Sequence, residues 1–366
     1  MTNTMPVTDY KADSIQVLEG LAHVRHRPGM YIGSTGSRGL HHLVWEIVDN
    51  SIDEVSNGYG TKILVQVNRN DSITIADDGR GIPVDKHKEK KIPAVRLVFE
   101  VLGAGGKFDN VAYKTSGGLH GVGAAVVNAL SKWVKVEVKR DGKVYALFYE
   151  DACLAKDVSV VGTTKETGTT VTFYPDETIF ETIEFKYETL KTRLRELAFL
   201  NKDIKIELID ERHGKNDKFQ YKGGLAEFVQ FINASKDTIN NQVIHILGEK
   251  DGVLVEAALQ YTKGYSENIH SFVNNIATAE GGTHDAGFRA ALTRSINEYI
   301  KQQNAQKKRG KKETTVQGAD TTEGLTVVLS VKMANTQSRD RRKPNWAILR
   351  SKVLYRALFT MVCWSF

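Results

Sequence analysis

Three polar residues recur at helical spacing in the segment Gly39–Glu54, which reads GLHHLVWEIVDNSIDE. Glu46, Asn50 and Asp53 lie four and three positions apart, so a helix would stack them on one face. His42 precedes Glu46 by one turn, within reach of a hydrogen bond. Carboxylate and amide oxygens in such a row suit a hard cation and an activated water molecule. A solvated polar helix face is the alternative interpretation of these residues alone.

The apolar residues of the same segment predict the helix itself. They recur at the i, i+3, i+4, i+7 spacing of one buried face, which is typical of an amphipathic helix. The polar row is then expected on the opposite face. The residues of the predicted buried face are Leu40, Val44, Ile47, Val48 and Val55.

An acidic, glycine-containing turn supplies a second candidate binding residue. Lys62–Val67 and Ser72–Ala76 are predicted strands, and Asp77–Pro83, which reads DDGRGIP, follows the second strand directly. A buried carboxylate at a strand end can accept a hydrogen bond from an exocyclic amine such as that of adenine. A plain turn is the alternative.

Two glycine clusters follow in the chain. Gly103–Phe108 comes after a helix predicted over Ile92–Leu102, and Lys114–Gly123 opens directly into a helix predicted over Ala124–Leu130. Glycines before a helix leave free N–H groups on approachable backbone, which suits a phosphate group. A structural glycine turn is again the alternative.

Two other phosphate-binding motifs are excluded. A Walker A loop requires a glycine where Val101 stands and a Ser or Thr where Phe108 follows Lys107. A dinucleotide fingerprint is not supported, because Gly118 and Gly121 do not follow a predicted strand.

The remaining pattern predicts two units. A helix-backed, mostly antiparallel sheet is expected first, as a two-layer α/β sandwich. A second α/β unit begins near Gly223-Gly224, contains a glycine turn at Glu280–Gly282 and a long helix over His284–Ile300, and closes with a strand over Gly324–Met333. The lysine-rich run Lys307–Lys312 is interpreted as a solvated loop.

The segments before the polar helix are predicted to contain little regular structure. An extended arm is followed by a short helix over Asp13–Leu21, for which Asp13 or Ser14 would be the N-cap. The segment Val24–Ser34 is predicted to be a turn-rich connection, because Pro28-Gly29 marks a turn.

Composition excludes several classes of protein. Hydrophobic residues make up 41% of the 366 residues, which is typical of a globular domain, and no window approaches the ~20 apolar residues of a membrane span. The polar start lacks the apolar core of a signal peptide. Two cysteines, Cys153 and Cys363, form no disulfide framework and indicate a reducing compartment, so we expect a cytoplasmic protein.

The net charge of +6 lies in the last thirty residues, since positions 337–366 hold seven Lys or Arg and one Asp. The rest of the chain is balanced, with 43 basic and 43 acidic side chains. The bulk of the protein therefore carries no net positive charge that would by itself indicate nucleic-acid binding.

Taken together, the motifs resemble those of the GHKL ATPases. Glu46-x-x-x-Asn50, Asp77–Gly81 and Gly117–Gly123 match the family's three motifs in their order. RPGMYIG (Arg27–Gly33) and GLHHLVWEIVDNSIDE resemble in particular the B subunits of bacterial type II DNA topoisomerases, gyrase or topoisomerase IV. The resemblance extends from residue 10 to about 336, through GGTH and EGLTVVLSVK.

The resemblance implies a role for each matching residue. Glu46 would be the general base that activates the attacking water, and His42 would orient Glu46. Asn50 would hold Mg²⁺ on the phosphates, Asp77 would accept the adenine amine, and Asp53 would belong to the same nucleotide site. The other implied ATP contacts are Tyr10, Ile15, Arg80, Gly81, Pro83, Lys107, Tyr113, Gly117, Gly118, Leu119, His120, Gly121, Val122, Gly123, Arg140 and Thr169.

The resemblance also implies an architecture and partners. It predicts an α+β protein with a dimerisation arm (1–20), a GHKL or Bergerat-type ATPase domain (21–222) and a smaller α/β transducer domain (223–336). ATP with Mg²⁺ would dimerise this region and close a gate on a DNA segment. An A-type subunit and DNA would be partners of the full-length protein.

The end of the chain departs from the family after Asn335. Lys343 falls where the family's Gln-Thr-Lys loop has its γ-phosphate-sensing lysine, but Pro344 follows it, and Gln and Thr are missing. Restoring one nucleotide near codon 338 would recover a Gln-Thr-Lys reading frame, so we hypothesise a frameshift and a truncated chain. A divergent natural tail is the alternative, and the apolar stretch Trp346–Phe366 is expected to promote aggregation.

Two alternative functions stay open on the sequence alone. The chain could bind nucleotide without hydrolysing it, or act as a dominant-negative truncation product. Another GHKL branch, such as a histidine kinase, a chaperone or a mismatch-repair protein, is less consistent with RPGMYIG and the second unit. One further departure is Gly103, where topoisomerase B subunits usually have His.

Overall fold

The computed structural model describes residues 18–105, 121–250, 252–278, 281–306 and 315–333. Within these ranges the chain forms an eight-stranded sheet and a five-stranded sheet. Most of the predicted arm, most of the Lys114–Gly123 glycine cluster, the lysine-rich loop and the tail after Met333 lie outside the described residues.

The larger sheet is mostly antiparallel, as predicted. Its strands are β1 Lys62–Val67, β2 Ile73–Asp77, β3 Ser131–Arg140, β4 Lys143–Glu150, β5 Cys153–Thr163, β6 Gly168–Pro175, β7 Lys205–Asp210 and β8 Lys215–Phe219. They are ordered β5-β4-β3-β6-β2-β1-β7-β8, and only β1 and β7 pair in parallel. The edge strands β5 and β8 were not predicted, because neither alternates between buried and exposed positions.

Six helices accompany this sheet in the described part of the chain. They are α1 Gly20–His26, α2 Gly29–Ile32, α3 Ser37–Ser56, α4 Ala94–Glu100, α5 Gly123–Ala129 and α6 Tyr187–Leu200. Their apolar faces and the strands share one core cluster, in which Leu40, Val44 and Val48 have no exposed surface. This arrangement is the predicted two-layer sandwich.

The segment Val24–Ser34 was predicted incorrectly as a turn-rich connection. It contains the end of α1 and the whole of α2. Pro28 has φ −58° at the N-cap of α2, and its fixed φ suits the start of a helix as well as it suits a turn. The short helix predicted over Asp13–Leu21 is wrong at its described end, because Glu19 is extended and α1 begins at Gly20.

The polar row on α3 also needs one correction. Asp53 is only 2% exposed, although it was predicted with Glu46 and Asn50 on the face opposite the apolar residues. Ser51 and Ile52 beside it are also buried, so the C-terminal half of α3 is covered on more than one face. The helix ends at Ser56, and Asn57 donates from its backbone N–H and its side-chain amide to the carbonyl of Asp53.

The smaller sheet is sandwiched between helices. Its strands are β9 Ile244–Lys250, β10 Val253–Tyr261, β11 Asn268–Val273, β12 Ile276–Ala277 and β13 Leu325–Met333, in the order β12-β11-β13-β10-β9. α7 Leu225–Ile232 packs on one face and α8 Thr283–Gln306 on the other, and α9 Gly318–Thr322 precedes β13. Strand β13 is buried almost throughout because it is central and covered on both faces.

An aromatic cluster joins the two sheets. Phe199 of α6 stacks on Tyr221 and on Phe228 of α7, with ring centroids 3.7 and 4.6 Å apart. Phe228 in turn contacts Phe272 of β11. The two units are therefore connected through a shared apolar cluster at the end of α6.

Among the described residues, no helix combines the length and the apolar character needed to span a membrane.

Candidate active site

Helix α3 presents the catalytic candidates on a partly open face. The side chains of His42 and Glu46 are 39% and 29% exposed, and His42 Nε2 lies 2.9 Å from Glu46 Oε1. Asn50 follows one turn later and is half-buried. The spacing predicted from the sequence therefore places these three side chains along one helix face.

The pair on α3 favours a charged imidazole. Burial lowers the pKa of His42, but the hydrogen bond to Glu46 and the charges of Glu46 and Asp49 outweigh it and raise that pKa above its ordinary value. A protonated His42 donates to Glu46 and holds one carboxylate oxygen in place. The other oxygen is then left to accept a proton from a ligand or from water.

The adjacent histidine has a different function. His41 is 2% exposed, its Nε2 accepts a hydrogen bond from the backbone N–H of Lys186 at 2.9 Å, and its Nδ1 lies 2.7 Å from the carbonyl of Ser37. Burial lowers the pKa of His41, so the ring stays neutral and donates through Nδ1. His41 is a core histidine that fixes α3 against the segment before α6.

Asp77 ends strand β2 and is held by three donors. The hydroxyl of Ser51 donates to Oδ2 at 2.8 Å, and the backbone N–H groups of Gly79 and Thr169 donate to Oδ1 at 3.0 and 3.2 Å. Burial raises the pKa of Asp77 against these hydrogen bonds, and the charge of Glu54 adds to the rise. Because Ser51 belongs to α3, the same helix carries Glu46 and orients Asp77.

Two glycines allow the backbone to approach Asp77. Gly168 has φ +144°, and a Cβ there would lie 2.0 Å from the carbonyl oxygen of Asp77. Gly81 has φ +76°, and a Cβ would lie 2.8 Å from the carbonyl oxygen of Lys139. Side chains at these positions would displace the turn after β2 or the start of β6.

Gly123, the first residue of α5, lies against Glu46. A Cβ on Gly123 would lie 2.1 Å from Glu46 Oε2, so only a glycine fits there without moving the carboxylate. Arg25 of α1 donates to the carbonyl of Ala129 at the other end of α5, and Asn128 donates to the carbonyl of Phe99 in α4. These contacts tie α5, and with it Gly123, to α1 and α4.

Gly103, where the sequence departs from the family, is bonded to Gly121. The N–H of Gly103 donates to the carbonyl of Gly121 at 3.1 Å, and the two residues have φ +79° and +60°. A histidine at position 103 would have to adopt the left-handed region, which glycine enters without strain. Val122 is the N-cap of α5.

Arginines flank the turn after β2. Arg80 donates through Nε and Nη2 to both oxygens of Glu54, at 3.0 and 2.8 Å, and its guanidinium lies 3.7 Å from the centre of the Tyr59 ring. Arg140 donates through Nη1 to the carbonyl of Gly81 at 2.8 Å. Both therefore brace the turn that follows Asp77.

Thr169 supports the same turn from β6. Its hydroxyl accepts the N–H of Ile82 at 3.2 Å, and Pro83, one residue further, is exposed. Roles for Ser51, Glu54 and Tyr59 were not predicted, because their partners lie twenty or more residues away. Only the position of Ser51 and Glu54 within the quoted helix motif could have pointed to them.

Several predicted site residues cannot be placed. Tyr10, Ile15, Lys107, Tyr113, Gly117, Gly118, Leu119, His120 and Lys343 lie outside the described residues.

The described side chains do not form a protein cage for a metal. No group of three or more His, Cys, Asp or Glu in these ranges could hold a metal ion. Mg²⁺ often binds through one or two protein oxygens together with phosphate oxygens and water. The row of Glu46 and Asn50 oxygens fits a cation that arrives with a phosphate ligand.

An open surface cavity of about 490 Å³ lies on another side of α3 and contains none of the predicted site residues. It is lined by Trp45, Glu188, Thr189, Thr192, Arg193 and Glu196.

Two family models match the chain. The model described as histidine kinase-, DNA gyrase B-, and HSP90-like ATPase matches residues 35–179, which contain α3, the turn after β2 and α5. The model described as DNA gyrase B matches residues 224–339, which contain the second sheet.

Curated relatives are similar over most of this chain. The B subunit of DNA gyrase from Halalkalibacterium halodurans is 51% identical over 353 residues, which is 96% of this chain and 55% of that protein. The B subunit of the type 2 topoisomerase from Aquifex aeolicus is 49% identical, over 92% of this chain and 42% of that protein. The chain spans about half the length of the curated relatives it matches.

Solved structures share the fold. The 43K ATPase domain of Thermus thermophilus gyrase B, in complex with an aminocoumarin, has a TM-score of 0.79 and 38% identity, over 93% of this chain and 88% of that chain. The ATP-binding domain of Francisella tularensis topoisomerase IV, in complex with a small-molecule inhibitor, has a TM-score of 0.77 and 31% identity, over 95% and 92%. The predicted fold class is therefore confirmed.

Proposed function

The chain belongs to the GHKL ATPases, among the B subunits of bacterial type II DNA topoisomerases, and from that membership we propose that it binds ATP between α3, the turn after β2 and the start of α5. The observation that carries the proposal is the anchoring of Asp77 by Ser51, because it ties the adenine-binding candidate to the helix that bears Glu46. The domain bounds 1–20, 21–222 and 223–336 are part of this proposal.

Asp77 supplies base selectivity. Its carboxylate oxygens are held by three donors, so they stay oriented as acceptors. Adenine presents an exocyclic amine that can donate to such an oxygen, whereas guanine presents a carbonyl oxygen at the same position of the ring. The carboxylate therefore favours adenine over guanine through an attractive and a repulsive interaction.

Glu46 supplies the base for hydrolysis. It accepts a proton from water as the water oxygen bonds to the γ-phosphorus, and the bond between that phosphorus and the bridging oxygen breaks. ADP leaves with the electron pair, and the proton on Glu46 returns to solvent. His42 keeps the carboxylate oriented by donating to Oε1.

We assign the side-chain amide oxygen of Asn50 to Mg²⁺. When bound, this ion would offset the charge of the phosphates. Lys107 and the loop Gly117–Gly123 would close over the phosphates, and Gly123 would keep that loop against Glu46. Arg80, Arg140, Gly81, Pro83 and Thr169 would surround the adenine.

The rest of the full-length activity belongs to the same proposal. Tyr10 and Ile15 would reach into the site of a second copy, so that ATP dimerises the chain. The second unit would act as the transducer. An A-type subunit and DNA would complete the complex that carries out DNA strand passage. The chain spans about half the length of its curated relatives, so we assign these steps to the whole protein.

A nucleotide-binding module without hydrolysis is the second candidate. It is favoured by the sequence at Lys343, where Pro344 follows directly and the Gln and Thr of the family's loop are missing. Phosphate release by the wild-type chain and by Glu46→Ala distinguishes the two: equal background rates leave only binding, and a faster wild type supports hydrolysis.

Calorimetry with a non-hydrolysable ATP analogue tests the binding proposal. We expect binding that weakens when Mg²⁺ is chelated, and about tenfold or greater weakening in Asp77→Asn, because the amide cannot offer two acceptor oxygens. Asp78→Asn is the matched control, since Asp78 accepts from the backbone of Thr61 and Lys62 instead. Equal affinity of the two variants for the analogue would rule out Asp77 as the adenine acceptor.

A further inference from the structure

The side chain of Asn201 lies where the two sheets meet. Asn201 is the C-cap of α6 and is 5% exposed. Its Nδ2 donates to the carbonyl of Leu197 at 2.9 Å, which fixes the amide and turns Oδ1 toward the junction. Three donors from three different elements point at that one oxygen.

The first donor belongs to the catalytic helix. The hydroxyl of Ser56, in the last position of α3, donates to Asn201 Oδ1 at 3.3 Å. Ser56 and Glu46 are ten residues apart on one continuous helix, or about 15 Å along its axis. A displacement at Ser56 is transmitted to Glu46 because a packed helix moves as one body.

The other two donors belong to the second sheet. Asn275, between β11 and β12, donates through Nδ2 at 3.3 Å, and Lys332 of β13 donates through Nζ at 3.4 Å. Asn275 also accepts a hydrogen bond at its carbonyl from Arg193 of α6 at 2.8 Å. The adjacent Asn274 bonds both backbone groups of Met333, at 2.9 and 3.0 Å, so this turn and the end of β13 move together.

Three donors compete for one carbonyl oxygen with two lone pairs. All three distances are longer than the usual range for hydrogen bonds, as expected for a shared acceptor. Burial lowers the pKa of Lys332, partly opposed by the charge of Glu256, so its ammonium depends on the few polar contacts it has. A small shift of the second sheet therefore changes the donor from which Asn201 Oδ1 accepts its hydrogen bond.

We infer that Asn201 is a positioning residue that couples the orientation of the second sheet to the catalytic helix α3. The inference rests on the proposed function and adds a route between the nucleotide site and the second unit through Ser56, Asn201, Asn275 and Lys332. It predicts that nucleotide bound beside Glu46 changes the stability of the turn at Asn275 and of β13.

Hydrogen exchange of the full chain, with and without the non-hydrolysable ATP analogue and Mg²⁺, tests the coupling. In the wild type we expect the analogue to slow exchange in residues 268–278 and 325–333. In Asn201→Ala and in Ser56→Ala we expect that nucleotide-induced difference to fall at least about twofold, with analogue affinity measured by calorimetry nearly unchanged. Ser56→Ala removes a single hydroxyl and decides the test if Asn201→Ala does not fold.

Asn233→Ala is the matched control. Asn233 is also a buried helix C-cap, 4% exposed, and its amide bonds Gln260 and Thr326 within the second unit. The Asn233→Ala variant should raise hydrogen exchange in the absence of nucleotide but keep the nucleotide-induced difference. A wild type that binds the analogue without protecting the second sheet overturns the inference, as does an undiminished difference in Ser56→Ala. A wild type that binds no analogue overturns the proposed function as well, and calorimetry identifies that result separately.

Discussion

Gly123 and Glu46 are in such close contact that a single added carbon would not fit between them. A Cβ on Gly123 would lie 2.1 Å from Glu46 Oε2 and 3.0 Å from its carboxyl carbon. The end of one motif is thus packed against the central residue of another, seventy-seven positions earlier in the chain. The position of Gly123 at the start of α5 and the orientation of the carboxylate depend on each other.

Gly123→Ala should therefore disturb the site more than the fold. The methyl group must displace either the start of α5 or the Glu46 carboxylate, which we expect to cost about 1–3 kcal/mol of unfolding free energy and to abolish tight binding of the ATP analogue. Denaturant unfolding and calorimetry measure the two effects.

Gly162→Ala is the control for that variant. A Cβ at position 162 would meet the Val144 side chain at 3.8 and 3.9 Å, which is ordinary contact. Analogue affinity should be unaffected. Normal affinity in Gly123→Ala would show that the carboxylate does not need its present orientation.

The His42–Glu46 pair should make stability depend on pH. The pKa of His42 is raised in the folded chain, so the pair contributes fully below the unfolded pKa of about 6.5 and its contribution is lost as pH rises through the folded pKa. Because His42 is more than a third exposed, we expect only about 0.5 kcal/mol.

His42→Gln keeps a side-chain donor but does not titrate. The wild type should lose its advantage over this variant between about pH 6 and about pH 9 in urea unfolding. A difference between the two proteins that stays constant over this range would mean that Glu46 does not raise the pKa of His42.

The ionised carboxylate of Asp77 is predicted to favour nucleotide binding but to reduce the stability of the fold. Its folded pKa is raised, so the aspartate stabilises the fold below the unfolded pKa and loses that contribution as pH rises through the folded value. In Asp77→Asn, Oδ1 can still accept from Gly79 and Thr169, and the hydroxyl of Ser51 can turn to the carbonyl of Ile47, 3.5 Å away.

At neutral pH, the free energy of unfolding of Asp77→Asn should equal that of the wild type or exceed it by up to about 1 kcal/mol. This difference should vanish near pH 4. Parallel denaturant titrations at the two pH values provide the measurement. Marked destabilisation of Asp77→Asn at neutral pH would instead show that the ionised carboxylate stabilises the fold.

The sequence predicted the elements that have strong patterns. The apolar periodicity of α3 was sufficient to place the helix and its buried residues Leu40, Val44 and Ile47. The edge strands were missed because an exposed edge has no burial alternation to detect. Asp53 was misplaced because helical spacing does not reveal how much of a helix is covered.

The site was only partly predictable for a related reason. Motif residues such as Glu46 and Asp77 could be named, but their partners lie far along the chain. Ser51 bonds a residue twenty-six positions away, and Asn201 bonds one at a separation of 131. Two adjacent histidines, His41 and His42, became distinguishable only when the fold buried one and left the other beside Glu46.

Arg80 should tune nucleotide binding through Glu54. The two hydrogen bonds of its guanidinium partly offset the charge of the Glu54 carboxylate, which raises the pKa of Asp77. In Arg80→Gln that charge acts on Asp77 uncompensated, so a larger fraction of Asp77 is protonated at mildly acidic pH. Analogue affinity should then fall about tenfold at about pH 5.5 and less at about pH 8.

Arg96→Gln is the matched control for Arg80→Gln. Arg96 also donates through its guanidinium to a glutamate, Glu100, and bonds Asp157 on strand β5. Its loss should leave the pH dependence of binding at the wild-type value. If Arg80→Gln weakens binding equally at both pH values, Arg80 acts on the nucleotide or on the Tyr59 ring beneath it rather than through the ionisation of Asp77.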